Sequence, residues 1–296
     1  MAYPETEFIS LRNDLLFHMV FTRNAEALAE LLSALLGIPR PEIARVEVLN
    51  PMQYSEALDT KLTILDLKVH LNGENFVLVE MQVRRFPNWT NRVLAYASRQ
   101  MADQVHGNFD YGRLQPVIQI SIMDHSLFPD HRRFFDKFLL RDPEGYVYTD
   151  KLQLCVMDLT QIGQATEADR RQGLVTWARA FRANTWEEVE TIEDVGVKEA
   201  AKTMELILSN PTERDMIRAR MDAEIDWRTM MNAERREGRR EGHREGVQQG
   251  RREGVQQGQI MLLSELVKDG FMTLHAAAQR VGLSDNEFEK LAEAFL

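Results

Sequence analysis

The sequence is short of the residues that make disulfide frameworks, zinc sites and membrane spans. One of its 296 residues is a cysteine, Cys155, so no disulfide can close within the chain. Cys155 stands in the apolar run LQLCVMDL, where it reads as a small buried hydrophobe rather than a reactive thiol. His243 and His275 are isolated, and no zinc-type ligand spacing is visible. No apolar run approaches ~20 residues, so no membrane-crossing helix is expected. The opening MAYPETEFIS lacks the basic start and apolar centre of a secretory leader, so a cytoplasmic protein is expected. Net positive charge is missing as well. The formal charge of −10 argues against a protein that coats nucleic acid by bulk electrostatics. It leaves room for an enzyme with a local basic rim, because metal ions bring their own positive charge.

What is present is ordinary for a globular chain: 44% hydrophobic and 28% charged residues. The length supports one domain with appendages. The organising stretch is residues 61–85, KLTILDLKVHLNGENFVLVEMQVRR. It reads as two strands around a turn at Asn72-Gly73-Glu74. Leu65, Leu67, Val69 and Leu71 share one face of the first strand; Asp66, Lys68 and His70 share the other. In the second, Val77, Val79, Met81 and Val83 oppose Glu80, Gln82 and Arg84. A three-residue loop pairs Leu71 with Asn75 and sets Asp66 opposite Glu80; a two-residue shift sets it opposite Gln82 instead. Two carboxylates facing each other across a strand pair repel. A divalent cation, Mg²⁺ or Mn²⁺, is the simplest compensation.

An acid, a short turn and then Glu-x-Gln resembles the active-site hairpin of the PD-(D/E)xK nuclease superfamily. The wording is similar to its Rpn branch of recombination-promoting nucleases, also described as transposases of that type. The matching pieces run in order: Asn13-Asp14-Leu15-Leu16-Phe17, Val48-Leu49-Asn50-Pro51, Ile64-Leu65-Asp66-Leu67-Lys68, Val79-Glu80-Met81-Gln82, Pro116-Val117-Ile118, Leu127-Phe128 and a glycine repeat near the end. The resemblance implies an α/β restriction-endonuclease-like core, a mixed central sheet flanked by helices, with an α-helical C-terminal extension. It implies DNA phosphodiester hydrolysis that promotes recombination, linked to mobile elements or defence. Asp66 and Glu80 would hold Mg²⁺ or Mn²⁺, with the Met81 carbonyl and Asp14 as further ligands. Gln82 stands where the superfamily usually has Lys. It orients water without bringing charge, and Lys68, or more weakly Arg84, is positioned to supply the charge.

Around the hairpin, residues 11–22 read as a helix with Asp14, Phe17 and Phe21 on one stripe. Asp14 there either borders a site or serves the helix dipole. A helix over 25–36 stops at Gly37, and 45–50 is a short strand. Asn88 is placed to cap a helix to about His106. On that helix Arg92, Tyr96 and Arg99 share a face with Asp103, either as plain surface or as a DNA-contacting patch. Residues 116–124 read as a central buried strand, and Phe128, Phe134, Phe135 and Phe138 as core. Residues 151–159 form a further strand, with Asp158 near its end, either assisting at the site or, as the preferred reading, standing in solvent.

The domain reading is 1–165 for the nuclease-like part, 166–234 for a helical layer with Thr212 as a cap, 235–258 for the repeat and 259–296 for a tail. Glycine recurs every fourth residue from Gly238 to Gly258. This makes either a helix with a slowly winding glycine stripe or a linker. Self-association into a homo-oligomer through that stripe is expected. The tail, with a capping box at Ser284, is similar to a helix-turn-helix. Its last helix is acidic, which favours protein contact over base reading. The rival to a nuclease is an inactive assembly or DNA-binding protein that uses the repeat and tail.

Overall fold

The computed structural model describes residues 7–49, 67–108 and 110–293. Asp66 and residues 50–65 before it lie outside the described residues. The chain divides into two units, Met1–Asp222 and Ala223–Leu296.

The first unit is built on a six-stranded mixed sheet. Its strands are β1 (Val46–Val48), β2 (Leu67–Leu71), β3 (Asn75–Gln82), β4 (Val117–Met123), β5 (Phe135–Arg141) and β6 (Val147–Asp158). The spatial order is β1-β2-β3-β4-β6-β5 among the described residues. β3, β4 and β6 run parallel to one another; the other neighbours are antiparallel.

The hairpin adopts the first of the two expected registers. Leu71 pairs with Asn75 and Leu67 with Val79. Asn72 and Gly73 both have positive φ, 54° and 74°, and Glu74 N–H donates to the Leu71 carbonyl at 3.0 Å. Asn and Gly are the residues that tolerate this backbone best. The Asn72 side chain also accepts from the Ala44 and Arg45 amides at 2.9 and 3.0 Å, which ties β1's approach to the turn.

One sheet face carries Val77, Val79, Met81, Ile118, Ile120, Ile122, Cys155 and Met157. It packs on α1 (Asp14–Arg23), α2 (Ala25–Leu36), α5 (Leu174–Arg182) and α7 (Val195–Ser209), among other segments. Asn13 caps α1 by accepting from Leu16 N–H at 2.9 Å, and Gly37 ends α2 at φ 69°. Trp177 and Phe181, four apart on α5, both lie in this core with ring centroids 5.9 Å apart. The short helices α4 (Glu167–Arg171) and α6 (Trp186–Glu190) complete the layer. The opposite sheet face is covered by α3 (Trp89–Ala102). β4 is buried at every residue, as a strand covered on both faces should be.

Several local expectations are corrected. Asn88 sits before α3 in the left-handed region at φ 60° and makes no side-chain cap; α3 ends at Ala102 rather than near His106. Of the four phenylalanines read as core, Phe134 is fully buried, whereas Phe138 is exposed and packs on Phe128 at 5.5 Å. Asp158 is buried, not solvated. Its Oδ1 accepts from the Thr160 N–H and hydroxyl at 2.9 and 2.6 Å, capping the turn that follows.

α8 runs from Pro211 to Lys268. Asn210 caps it, accepting from Thr212 and Glu213 N–H at 3.0 and 3.3 Å, in place of the expected Thr212. Pro211 follows at the first helical position, where it loses no hydrogen bond. The glycine repeat is therefore helical rather than a linker. The segment after it, from Ile260, is the end of α8. In the second unit Ile260 and Leu263 of α8 pack with Ala277 and Ala278 of α9 (Leu274–Arg280) and Phe288 and Ala292 of α10 (Asp285–Glu293). Ser284 opens α10 with the expected capping box, its N–H donating to Glu287 at 3.0 Å.

Candidate active site

The sheet face under α3 is apolar at both ends and polar in the middle. At one end Leu78 and Val117 pack with Ala97 of α3. At the other, Met123 packs with Trp89 and Val93. Between them lie Glu80 of β3 and Gln119 and Ser121 of β4. Alternation along the strands puts all three on this face, and Glu80 pairs directly with Ser121.

All three side chains are buried: Glu80 is 0% exposed, Gln119 0% and Ser121 1%. Among the described residues neither Glu80 oxygen has a hydrogen-bond partner, nor do the Gln119 amide atoms or the Ser121 hydroxyl. Buried polar groups are nearly always satisfied, so this concentration marks a place where folding stability is not the organising demand. Burial pushes the Glu80 carboxyl up to about 7. Arg92 works against that with its positive charge, and Gln119 lies close enough to pull the same way without hydrogen-bond geometry.

Arg92 reaches this layer from α3. Its guanidinium lies over three rings, 5.6 Å from Phe86, 5.4 Å from Trp89 and 5.2 Å from Tyr96. Its Nε and Nη2 are buried and have no hydrogen-bond partner among the described residues. Arg99, on the same helix, is exposed. The structure therefore sets Arg92 and Tyr96 together and leaves Arg99 at the surface.

The other sequence-marked residues fall as follows. Gln82, 6% exposed, follows Glu80 on the same face at the end of β3. Its carbonyl accepts from Asp124 N–H at 2.9 Å. Lys68, half-buried, pairs with Leu78, two residues before Glu80. The Met81 side chain lies in the main core on the opposite face. Asp14 stands in the first turn of α1, and its carboxylate is held by Arg220 at 3.0 Å. A ligand role for Asp14 requires that ion pair to open. Among the described residues no three His, Cys, Asp or Glu side chains gather as a metal cluster.

A family model described as PD-(D/E)XK nuclease family transposase matches residues 11–234. The chain belongs to that family. No curated protein and no solved structure matches it.

A carboxylate with both oxygens unpartnered among the described residues suits a divalent cation, which prefers oxygen donors. Gln119, Ser121, Phe86 and Trp89 were not singled out by reading the sequence. A signal was present: Gln119 and Ser121 are two residues apart in the otherwise apolar VIQISIM and so share a face. The continuity of that apolar run hid them.

Proposed function

We propose that the protein is a metal-dependent DNA endonuclease, with Glu80 and Asp66 as its cation ligands. The observation that carries this reading is the fully buried Glu80 carboxylate, unpartnered among the described residues, in a chain of the PD-(D/E)XK nuclease family. Mg²⁺ or Mn²⁺ would supply Lewis acidity at the phosphoryl oxygen and acidify the attacking water. Glu80 fixes the cation from the sheet. Gln82, next on the same face, orients the water through its amide. Ser121 and Gln119 offer further hydrogen-bonding atoms to that layer. Tyr96 and Arg99 of α3 are proposed to face the DNA backbone. Lys68 is a second source of charge, Asp14 enters only if released from Arg220, and the Met81 carbonyl completes the ligand set. The cellular role proposed is DNA recombination in the cytoplasm. The glycine-repeat part of α8 is proposed to serve self-association.

Supercoiled plasmid cleavage tests this. Wild type is expected to nick DNA with Mg²⁺ or Mn²⁺ and not with EDTA. Glu80→Ala and Asp66→Ala are each expected to fall below about a tenth of the wild-type rate, since ligand loss weakens metal sites at least that much. Cleavage that persists undiminished in both variants would place the chemistry elsewhere.

A further inference from the structure

We infer that Arg92 is the cation of this site: a positioning residue that supplies, from α3, the positive charge beside Glu80 that Gln82 does not bring. The inference rests on the nuclease reading and adds to it a residue outside the Glu-x-Gln stretch.

Three observations converge on Arg92. Its guanidinium is caged by Phe86, Trp89 and Tyr96 at 5.2–5.6 Å. Ring faces favour a cation but leave its charge intact, and arginine keeps its proton at any working pH. Its Nε and Nη2 are buried, and neither they nor the Glu80 carboxylate have a hydrogen-bond partner among the described residues. α3 crosses the sheet with Ala97 against Leu78 and with Trp89 and Val93 against Met123, which sets Arg92 over the stretch of β3 and β4 that holds Glu80 and Ser121.

Packing alone does not explain this arrangement. A methionine or leucine at 92 would cover the same rings and leave no buried N–H unpaired. A guanidinium there is destabilising unless its charge is used. Lys68 is the competing source, but it pairs with Leu78, further back along β3. From its cage Arg92 adds positive charge to the layer that holds Glu80 and so offsets, through that layer, the negative charge that gathers on phosphate in the transition state. Because it cannot give up its proton, it does not serve as the base.

The test uses the full chain, with plasmid cleavage in Mg²⁺ and the Mn²⁺-induced rise in melting temperature as two readouts. Arg92→Met keeps the contact with the rings and removes the charge. It is expected to lower kcat about tenfold or more, to leave KM for DNA within about twofold, and to keep the Mn²⁺ response. Arg92→Lys is expected to retain more activity than Arg92→Met. Adding Gln82→Lys to Arg92→Met is expected to restore at least about fivefold. Arg92→Met cleaving like wild type overturns the inference, as does a folded, Mn²⁺-responsive Arg92→Met that Gln82→Lys fails to restore. If Arg92→Met does not fold, Gln82→Lys alone decides. With Arg92 already serving as the cation it gives no gain; a gain of about fivefold or more shows that the site lacked one and overturns the inference. Wild type that neither cleaves nor responds to Mn²⁺ removes the nuclease reading itself, a result distinct from all of these.

Discussion

Glu80→Gln is expected to stabilise the folded protein by about 3 kcal/mol near pH 8 in EDTA, and to change it little near pH 4. The cause is the burial that raises this carboxyl from 4.5 to about 7. A tenfold weakening of the acid corresponds to roughly 1.4 kcal/mol of preference for the protonated form in the folded state. The sign follows from linkage. Below the unfolded value both states are protonated, and the buried acid carries no charge penalty. As pH rises toward 7 the unfolded chain ionises first, and stability is lost until the folded carboxyl ionises too. Glutamine keeps the shape of the protonated acid and never ionises, so its advantage grows through that window and then levels off. Urea unfolding at both pH values measures it. A pH-independent difference, or a loss at pH 8, would mean that Glu80 is not held in an unpaired, desolvated setting.

The second large effect concerns glycines in two opposite settings. Gly196, in the first turn of α7, lies against α2 and α5. A Cβ there would come within 2.4 Å of Glu30 Cβ and 2.9 Å of Trp177. The Glu30 atom is fixed to its helix backbone, so the helices must separate. Gly196→Ala should cost about 2 kcal/mol, since overpacking of about 1–3 kcal/mol outweighs the helix-propensity gain in a first turn. At Gly238, Gly242, Gly246, Gly250, Gly254 and Gly258 a Cβ would meet nothing within 4 Å. There only propensity changes, by up to about 1 kcal/mol each in favour of alanine. Replacing all six should therefore stabilise this part of α8 by roughly 3–6 kcal/mol. Native-state hydrogen exchange reads both effects: faster exchange in α7 after Gly196→Ala, slower exchange in α8 after the sixfold change. Slower exchange in the first or faster in the second would contradict the packing described.

The fold was legible where one period dominates. Alternation in residues 67–82 and the Asn-Gly turn narrowed the hairpin to two registers two residues apart, because a one-residue slip would turn its buried valines outward. Gly37 marked the end of α2 through its left-handed backbone. Legibility failed where partners come from afar. Asp14's neighbour Arg220 stands far along the chain in α8, and no local pattern announces it. Asp158 read as a solvated strand end because its burial depends on β4 beside it. The site was half visible. Glu80 and Gln82 stand out in an alternating strand, whereas Arg92 looked like one surface cation among several. Only the crossing of α3 over β3 and β4 shows that its guanidinium turns inward to a ring cage.

Glu80, buried and unpartnered among the described residues, is proposed to hold a divalent cation. Calorimetric titration of Mn²⁺ into the wild type and Glu80→Gln near pH 8 tests it most directly. Saturable binding in the wild type that is lost in Glu80→Gln is the predicted result. Binding of equal strength in both, or none in the wild type, would contradict it.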